Sequence, residues 1–164
     1  DLAAVFVREP ESLTALAFNN PAPSPGAVST RRYRGAEIPG SNAHASATGL
    51  ARVYAAVAAP EEARAQLLSH EGIARCQAEQ SYGPDAVLRT TTRFGTGFML
   101  SQPEGSGCFS PNDGAFGHPG MGGSIGFADP TARLSFGYVM NRAGMNILVG
   151  ERPRRLIDTV YACL

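Results

Sequence analysis

Residues 116–129 read Phe-Gly-His-Pro-Gly-Met-Gly-Gly-Ser-Ile-Gly-Phe-Ala-Asp and set one histidine among closely spaced glycines. Glycine gives up side-chain packing and costs backbone entropy, so this density indicates that a ligand or a second strand approaches the bare backbone. Apolar residues follow at 125–128 and again at 134–141, with a turn predicted at Asp129-Pro130. The stretch therefore predicts a β-hairpin that begins at a binding or catalytic segment.

Two local motifs also match this stretch. The run Gly122-Gly123-Ser124-Ile125-Gly126 has the letters of the Gly-x-Ser-x-Gly nucleophile elbow, but that elbow needs a helix after the serine and a later histidine. An apolar strand is predicted there instead, and no histidine follows His118. The glycine spacing also fits a phosphate-binding loop, but Gly123 stands where that loop requires lysine. Neither motif explains the stretch.

The composition excludes several classes of function. A chain of 164 residues fits one domain, and its formal net charge of zero gives no sign of a nucleic-acid or anionic-membrane partner. All 14 basic residues are arginine, which excludes any mechanism that needs a lysine base or Schiff base from this chain. No apolar run approaches the roughly 20 residues of a membrane span.

The cysteines and the first residues indicate the cellular setting. Cys76, Cys108 and Cys163 are odd in number and irregularly spaced, so neither a disulfide framework nor a zinc site is expected, and no cofactor is predicted. A reducing, cytoplasmic compartment is the simplest interpretation. The start, Asp1-Leu-Ala-Ala-Val, has neither an initiator methionine nor a signal-peptide pattern, and we expect it to lie within a longer protein.

The first half of the chain is predicted to be mainly helical. A short helix is expected at 10–18, a surface linker at 21–40 and a helical region at 41–80. Ser41, Asn42 and Ser46 are possible caps of the first helix in that region, and Ser69 caps the second. The inward stripe of the first helix is predicted to be Leu50, Val53, Tyr54 and Val57.

Strands are predicted for the second half, at 87–141. A turn is expected at 81–85 before them, and a C-terminal helix at 153–164 after them. The apolar face of that helix is predicted to be Leu156, Ile157, Val160 and Leu164. Helices followed by an antiparallel sheet and a closing helix indicate an α+β fold.

The glycine-rich stretch and its flanks resemble the third motif and C-terminal strands of the β-lactamase-like serine hydrolases. This superfamily includes class C β-lactamases, DD-peptidases and family VIII carboxylesterases. The resemblance is carried by His118-Pro119-Gly120 with the glycines after it, by Ser124–Pro130 and by Leu134–Asn141. Weaker similarity to the esterase branch lies at Glu37-Ile38-Pro39, at 50–55 and at 156–161.

The resemblance implies a fold and a set of site residues. The fold would be β-lactamase/transpeptidase-like, an antiparallel sheet flanked by helices, with this chain forming the C-terminal portion of a single domain. His118 would be the polar group of a His-x-Gly motif, and the backbone N–H of Met121 would donate to the oxyanion. Pro119, Gly120 and Asn141 would line the substrate.

The chain also departs from the family pattern. The family's first motif, Ser-x-x-Lys, needs a lysine, and its second, Tyr-x-Asn or Tyr-x-Ser, fits none of the five tyrosines. The resemblance therefore implies that the nucleophile, its lysine, the tyrosine and the first two strands lie in an N-terminal portion of the same protein.

The expected function follows from the resemblance. We expect part of a serine hydrolase that cleaves small-molecule esters or amides through an acyl-enzyme. The esterase type is favoured because His118 replaces the third-motif lysine of lactamases. This chain alone is expected to be inactive. The alternative is a non-catalytic binding or assembly subunit of the same fold.

Overall fold

The computed structural model describes residues 2–20, 22, 24, 26–61 and 67–164 and has the expected α+β architecture, with an antiparallel sheet. The helices are α1 (Leu2–Arg8), α2 (Leu13–Phe18), α3 (Arg31–Arg34), α4 (Ala47–Ala58), α5 (His70–Gln77) and α6 (Glu151–Ala162). The strands are β1 (Ser81–Pro84), β2 (Thr91–Phe94), β3 (Met99–Leu100), β4 (Phe116–Pro119), β5 (Ile125–Asp129) and β6 (Leu134–Tyr138).

The chain divides into two compact units, Asp1–Ala45 with Pro84–Thr90, and Ser46–Gly83 with Thr91–Leu164. In the first unit the rings of Phe6 and Phe18 pack with their centroids 5.7 Å apart. Arg89 in the same unit donates to both carboxylate oxygens of Glu9, at 3.0 and 2.5 Å. That the whole chain is part of a single β-lactamase-like domain stays a prediction.

The second unit is built on the sheet, in which strand order follows chain order from β1 to β6. Its longest pairing joins β5 to β6, from Ile125 opposite Tyr138 to Asp129 opposite Leu134. The predicted hairpin with its turn at Asp129-Pro130 is therefore present. β4 pairs with β5 so that His118 lies opposite Gly126 and Pro119 opposite Ile125.

Helices cover the two faces of this sheet. One face packs under α4 and α5 in a cluster made of Tyr54, Val57, Ala58, Ile73, Cys76, Leu100, Phe116 and Ala128. The other face packs against α6 in a cluster made of Phe109, Ala115, Ile125, Phe127, Val149 and Ile157. Because successive strand residues point to opposite faces, the alternation along β4 and β5 feeds both clusters.

The contact between α4 and the sheet depends on two glycines that face each other across β5 and β6. Gly126 pairs with Gly137, and both lie under α4. A Cβ on Gly137 would stand 2.5 Å from the carbonyl oxygen of Ala47 and 2.7 Å from the amide nitrogen of Ala51. Both obstacles are helix backbone, so neither can rotate away. The helix therefore rests on the bare strand.

We predict that Gly137→Ala lowers the free energy of unfolding by about 2–4 kcal/mol, because α4 must shift outward to admit one methyl group. Gly83→Ala is the matched control. Gly83 also lies in a strand of this sheet, and an added Cβ there would meet nothing within 4 Å. Chemical denaturation of both variants makes the measurement. Equal losses in the two variants would show that helix contact does not explain the glycine.

Asp129 is a fully buried carboxylate that joins β5 to a loop and to α6. Its Oδ2 accepts hydrogen bonds from the Ser110 hydroxyl at 2.7 Å, the Asn112 amide at 2.9 Å and the Tyr161 hydroxyl at 2.5 Å. Burial acts to raise the pKa of Asp129, but these donors outweigh it, and the pKa lies below its ordinary value. The ionised form is thus the one that the fold stabilises.

We predict that Asp129→Asn lowers the free energy of unfolding by about 2–4 kcal/mol near neutral pH. Whichever way the introduced amide is turned, its NH2 group cannot accept the hydrogen bonds that a carboxylate oxygen accepts in the wild type. The carboxylate contributes stability above the ordinary carboxyl pKa and loses it as the pH falls toward the lowered folded value. The difference in the free energy of unfolding between wild type and variant should therefore become smaller at acid pH. Denaturation curves at neutral pH and at about pH 3 test this. Asp158→Asn, on the exposed side of α6, is the control.

The structure corrects several predicted elements in the first half of the chain. The helix expected at 10–18 begins at Leu13, where the Ser12 hydroxyl accepts from Ala15 N, and the unpredicted α1 precedes it. The expected linker 21–40 contains a short 3-10 turn and α3, which the Thr30 hydroxyl caps. Pro21, Pro23 and Pro25 of that linker lie outside the described residues. Within the predicted helical region 41–80, Ser46 and Ser69 are the caps of α4 and α5.

The second half needs fewer corrections. The turn expected at 81–85 is instead β1, an edge strand in which Pro84 comes last and its missing amide is tolerated. Regular strand structure ends at Tyr138 rather than 141. Val53 is exposed, so the buried positions of α4 shift to Tyr54, Ala56, Val57 and Ala58. In α6 the predicted inward residue Ile157 is buried, together with Pro153, whereas Leu156 is exposed; Leu164 lies beyond the end of the helix at Ala162 and is also exposed.

Candidate functional site

The site predicted from sequence lies at a tight turn between β4 and β5. Gly120 N donates to Ser124 O at 2.7 Å, and Gly123 N donates to Gly120 O at 3.0 Å. The turn needs glycine at two of its positions, because Gly122 has φ +93° and Gly123 has φ +115°. The glycine run is thus explained by a reversal of the backbone beside the histidine strand.

The segment after β6 holds this turn from its other side. Gly122 N donates to Asn146 O at 2.9 Å, and Gly144 N donates to Gly122 O at 2.7 Å. A Cβ on Gly122 would meet the side chains of Ala143 and Met140, each at 3.1 Å. Asn141, a predicted substrate residue, is exposed in this segment, which the structure brings against the turn.

The Met121 amide stands out among its neighbours in the turn. The amides of Gly120, Gly122 and Gly123 all donate to carbonyl groups. No acceptor is paired with Met121 N among the residues that the structure describes, and the Met121 side chain is 70% exposed. The hydrogen bonds on both sides fix the peptide while its N–H stays available to a ligand. This is the geometry of a preorganised donor.

His118 is the exposed residue of β4, between the buried Gly117 and Pro119. Its Nδ1 lies 2.7 Å from the carbonyl oxygen of Pro119. The imidazole also packs near the Phe94 ring, with centroids 6.3 Å apart and planes inclined by 50°. The predicted site residues His118, Pro119, Gly120 and Met121 thus share one strand end and its turn.

Tyr54 supports this strand from beneath, a role that the sequence did not indicate. Its ring lies over Gly126, where an added Cβ would overlap the ring carbons, and its hydroxyl lies near the backbone of His118. Burial raises the pKa of Tyr54 to about 12, against which the nearby His118 backbone acts. The phenol is therefore neutral at physiological pH and suited to support rather than to act as a base. The one available signal was the missing side chain at Gly126.

Gly120 faces Ser124 across the turn. A Cβ on Gly120 would overlap the Ser124 hydroxyl oxygen, while the Ser124 Cβ would stay at an ordinary 3.6 Å. Ser124 leads directly into β5 rather than into a helix, so it lacks the context of a nucleophile elbow. The Gly120 side-chain direction is thus filled by a neighbour from this chain.

We predict that Gly120→Ala costs about 1–2 kcal/mol of stability and that the double variant Gly120→Ala/Ser124→Ala recovers most of it. The recovery follows because the second change removes the overlapping hydroxyl. Thermal melting of the two single variants and the double variant forms the cycle. Additive losses would contradict the assignment of Ser124 Oγ as the obstacle.

A separate pocket of about 300 Å³ lies at the opposite end of the β5–β6 hairpin. Pro130 and Arg133 line it from the hairpin turn, and Glu61 and His70, whose Oε1 and Nε2 are 3.3 Å apart, line it from the helices. It contains none of the predicted site residues. Both side chains of the ion pair are largely exposed, and the pocket supplies no part of the site at the glycine turn.

Two further findings concern metal binding and membrane spans. In the part of the chain that the structure describes, no group of three His, Cys, Asp or Glu side chains is placed to hold a metal ion. No helix among these described residues is long and apolar enough to cross a membrane.

Comparison with known proteins agrees with this geometry. Residues 5–160 match the family model described as Beta-lactamase. The chain belongs to the beta-lactamase family. It is 38% identical over 111 residues to the Esterase/beta-lactamase LipL of Mycobacterium tuberculosis (strain ATCC 25618 / H37Rv), a match covering 65% of this chain and 24% of that protein.

Solved structures of the family share the fold. A family VIII carboxylesterase superposes with a TM-score of 0.81 at 38% identity, covering 92% of this chain and 40% of that one. EstA from Arthrobacter nitroguajacolicus Rue61a gives 0.80 at 37%, covering 94% and 41%. A penicillin-binding protein homolog from Caulobacter crescentus gives 0.76 at 40%, covering 82% and 36%. The β-lactamase/transpeptidase-like fold is thus confirmed, and the chain spans about two fifths of these structures and a quarter of LipL.

Proposed function

We propose that this beta-lactamase family chain supplies one wall of the acylation site of an esterase-type serine hydrolase. The observation that carries the proposal is the Met121 amide, fixed by hydrogen bonds on both sides, free of an acceptor among the described residues, and three positions from His118. A donor that is already oriented costs no reorganisation when charge develops on a carbonyl oxygen. Relatives described as an esterase/beta-lactamase and as a family VIII carboxylesterase support the same class of reaction.

In the proposed reaction the nucleophile comes from an N-terminal portion of the same protein. A serine hydroxyl of that portion attacks the carbonyl carbon of a small-molecule ester or amide, and its proton passes to a base in the same portion. The carbonyl oxygen becomes an oxyanion that accepts from Met121 N–H. The alcohol or amine then leaves with a proton, and water releases the acid from the acyl-enzyme.

The other predicted residues surround this step. His118 presents its imidazole next to the oxyanion donor, where lactamases of the family carry a lysine. Pro119 and Gly120 form the strand end along which the substrate lies, and Asn141 stands in the segment that holds the turn. We favour esters because a histidine places no permanent cation beside the acyl group, whereas a lysine does.

We predict that His118→Ala in the full-length protein lowers kcat/KM for p-nitrophenyl esters by ten- to a thousand-fold, because the polar group beside the reacting carbonyl is lost. The stability cost should be no more than about 1–2 kcal/mol, since the side chain is exposed. The measurement pairs kcat/KM with thermal melting. His70→Ala is the matched control, an exposed histidine outside this turn.

Three outcomes would contradict the proposal. Near-native activity of His118→Ala would show that the histidine is structural. Wild-type full-length protein without turnover of esters or amides would favour the non-catalytic binding or assembly subunit. Turnover by the present chain alone that disappears in Ser124→Ala would return the nucleophile to this chain, and for that reason the isolated chain, expected to be inactive, belongs in the assay.

A further inference from the structure

We infer that His118 acts as the Nδ1–H tautomer, with Nε2 as the atom that it presents to the substrate, and that Phe94 is the positioning residue for this imidazole. The catalytic meaning of the inference rests on the function proposed above. The tautomer and the role of Phe94 rest only on contacts within the second unit, which contains the sheet.

The tautomer follows from the partner of Nδ1. The carbonyl oxygen of Pro119, 2.7 Å from His118 Nδ1, can only accept a hydrogen bond, so Nδ1 must carry the proton. A neutral imidazole has one N–H and one lone pair, and the lone pair is therefore on Nε2. Histidine side chains without such a constraint mostly carry the proton on Nε2. This local hydrogen bond thus reverses the ordinary preference.

The His118 imidazole needs a second contact to keep this orientation, because a single hydrogen bond lets the ring rotate about the hydrogen-bond axis. Phe94 supplies that contact, with its centroid 6.3 Å from the imidazole centroid and an inclination of 50°, within the range of favourable aromatic pairs. Phe94 is half-buried at the end of β2 and is anchored there, because its carbonyl accepts from Gln80 N at 2.7 Å. The Phe94 backbone is thus held in the sheet, and its ring lies beside the imidazole.

The assignment defines what His118 can recognise. Nε2 of the neutral ring offers a lone pair, so the group that meets it must be a donor, such as the hydroxyl of the departing alcohol. A lysine at this position could only donate. The His-x-Gly wall accordingly combines a donor at Met121 N with an acceptor at His118 Nε2, which suits an ester whose alcohol carries O–H after cleavage.

The test is a long-range ¹H–¹⁵N spectrum of the full-length protein labelled in its histidine side chains, at about pH 9 so that ordinary imidazoles are neutral. His118→Gln identifies the His118 signals by their loss. We expect a protonated-type Nδ1 and an unprotonated-type Nε2. The opposite pattern would overturn the tautomer assignment, whether or not any Phe94 variant folds.

The role of Phe94 is tested in the same spectra. We expect Phe94→Leu to move His118 toward the Nε2–H tautomer and to lower kcat/KM on the order of ten-fold, and Phe94→Tyr, which keeps the ring, to preserve both. Phe136→Leu is the matched control, a half-buried phenylalanine on β6 stacked on Phe127. An unchanged tautomer in Phe94→Leu, or in Phe94→Met if the leucine variant does not fold, would overturn the role of Phe94.

These readouts separate the two proposals. If wild-type protein shows the Nδ1–H tautomer but no esterase activity, the proposed function fails and the assignment of the imidazole stands. If His118→Ala loses activity while His118 proves to be the Nε2–H tautomer, the function stands and this inference fails.

Discussion

The close approach of α4 to the sheet is the constraint on which the rest of the sheet unit depends. The strands carry no side chain where the helix crosses them: Gly137 meets helix backbone, and Gly126 meets the side chains of Tyr54 and Leu50. At Gly137 the packing has almost no freedom to adjust, since the helix atoms that face it are backbone atoms and have no rotamer to change. The close approach of α4 places the Tyr54 ring over Gly126, with its hydroxyl near the backbone of the strand that carries His118. A shift of α4 on the sheet would therefore also move the strand that carries His118.

The site itself is mostly backbone. A turn with two left-handed glycines, held by the segment after β6, leaves one amide without an acceptor among the described residues, while its neighbours are all used. Such a donor has to be held rigidly, because it stabilises the oxyanion most when it is already oriented as negative charge develops on the carbonyl oxygen. The hydrogen bonds of Gly122 with Asn146 and Gly144 hold the turn directly.

The sequence predicts the parts of this arrangement that depend on local rules. Serine caps place the starts of α4 and α5, alternation and Asp129-Pro130 place the hairpin, and glycine density marks the turn. It does not predict β1, because Gly83 and Pro84 are typical turn residues and only the pairing with β2 makes this segment a strand. It predicts that Ile157 of α6 faces inward, but it also places Leu156 on that face, where the structure has Pro153. Tyr54 is correctly predicted to face inward, but its place beside His118, like that of Phe94, is not, because partners on distant strands and helices carry no local signal.

The division of labour between this chain and the rest of such a hydrolase follows from what the wall contains. A nucleophile and its base must exchange a proton during turnover, and in the proposed site both belong to the N-terminal portion of the protein. The proposed wall contains a peptide N–H that does not titrate, a phenol that burial moves further from ionisation, and an imidazole bonded to a carbonyl. In the proposed site these groups would stabilise and orient, and they would do so without lysine, which the chain lacks throughout. In the proposed site the Met121 amide and His118 would act on the reacting carbonyl and on the departing alcohol, which are common to all esters, and these two groups would not by themselves distinguish one acyl group from another.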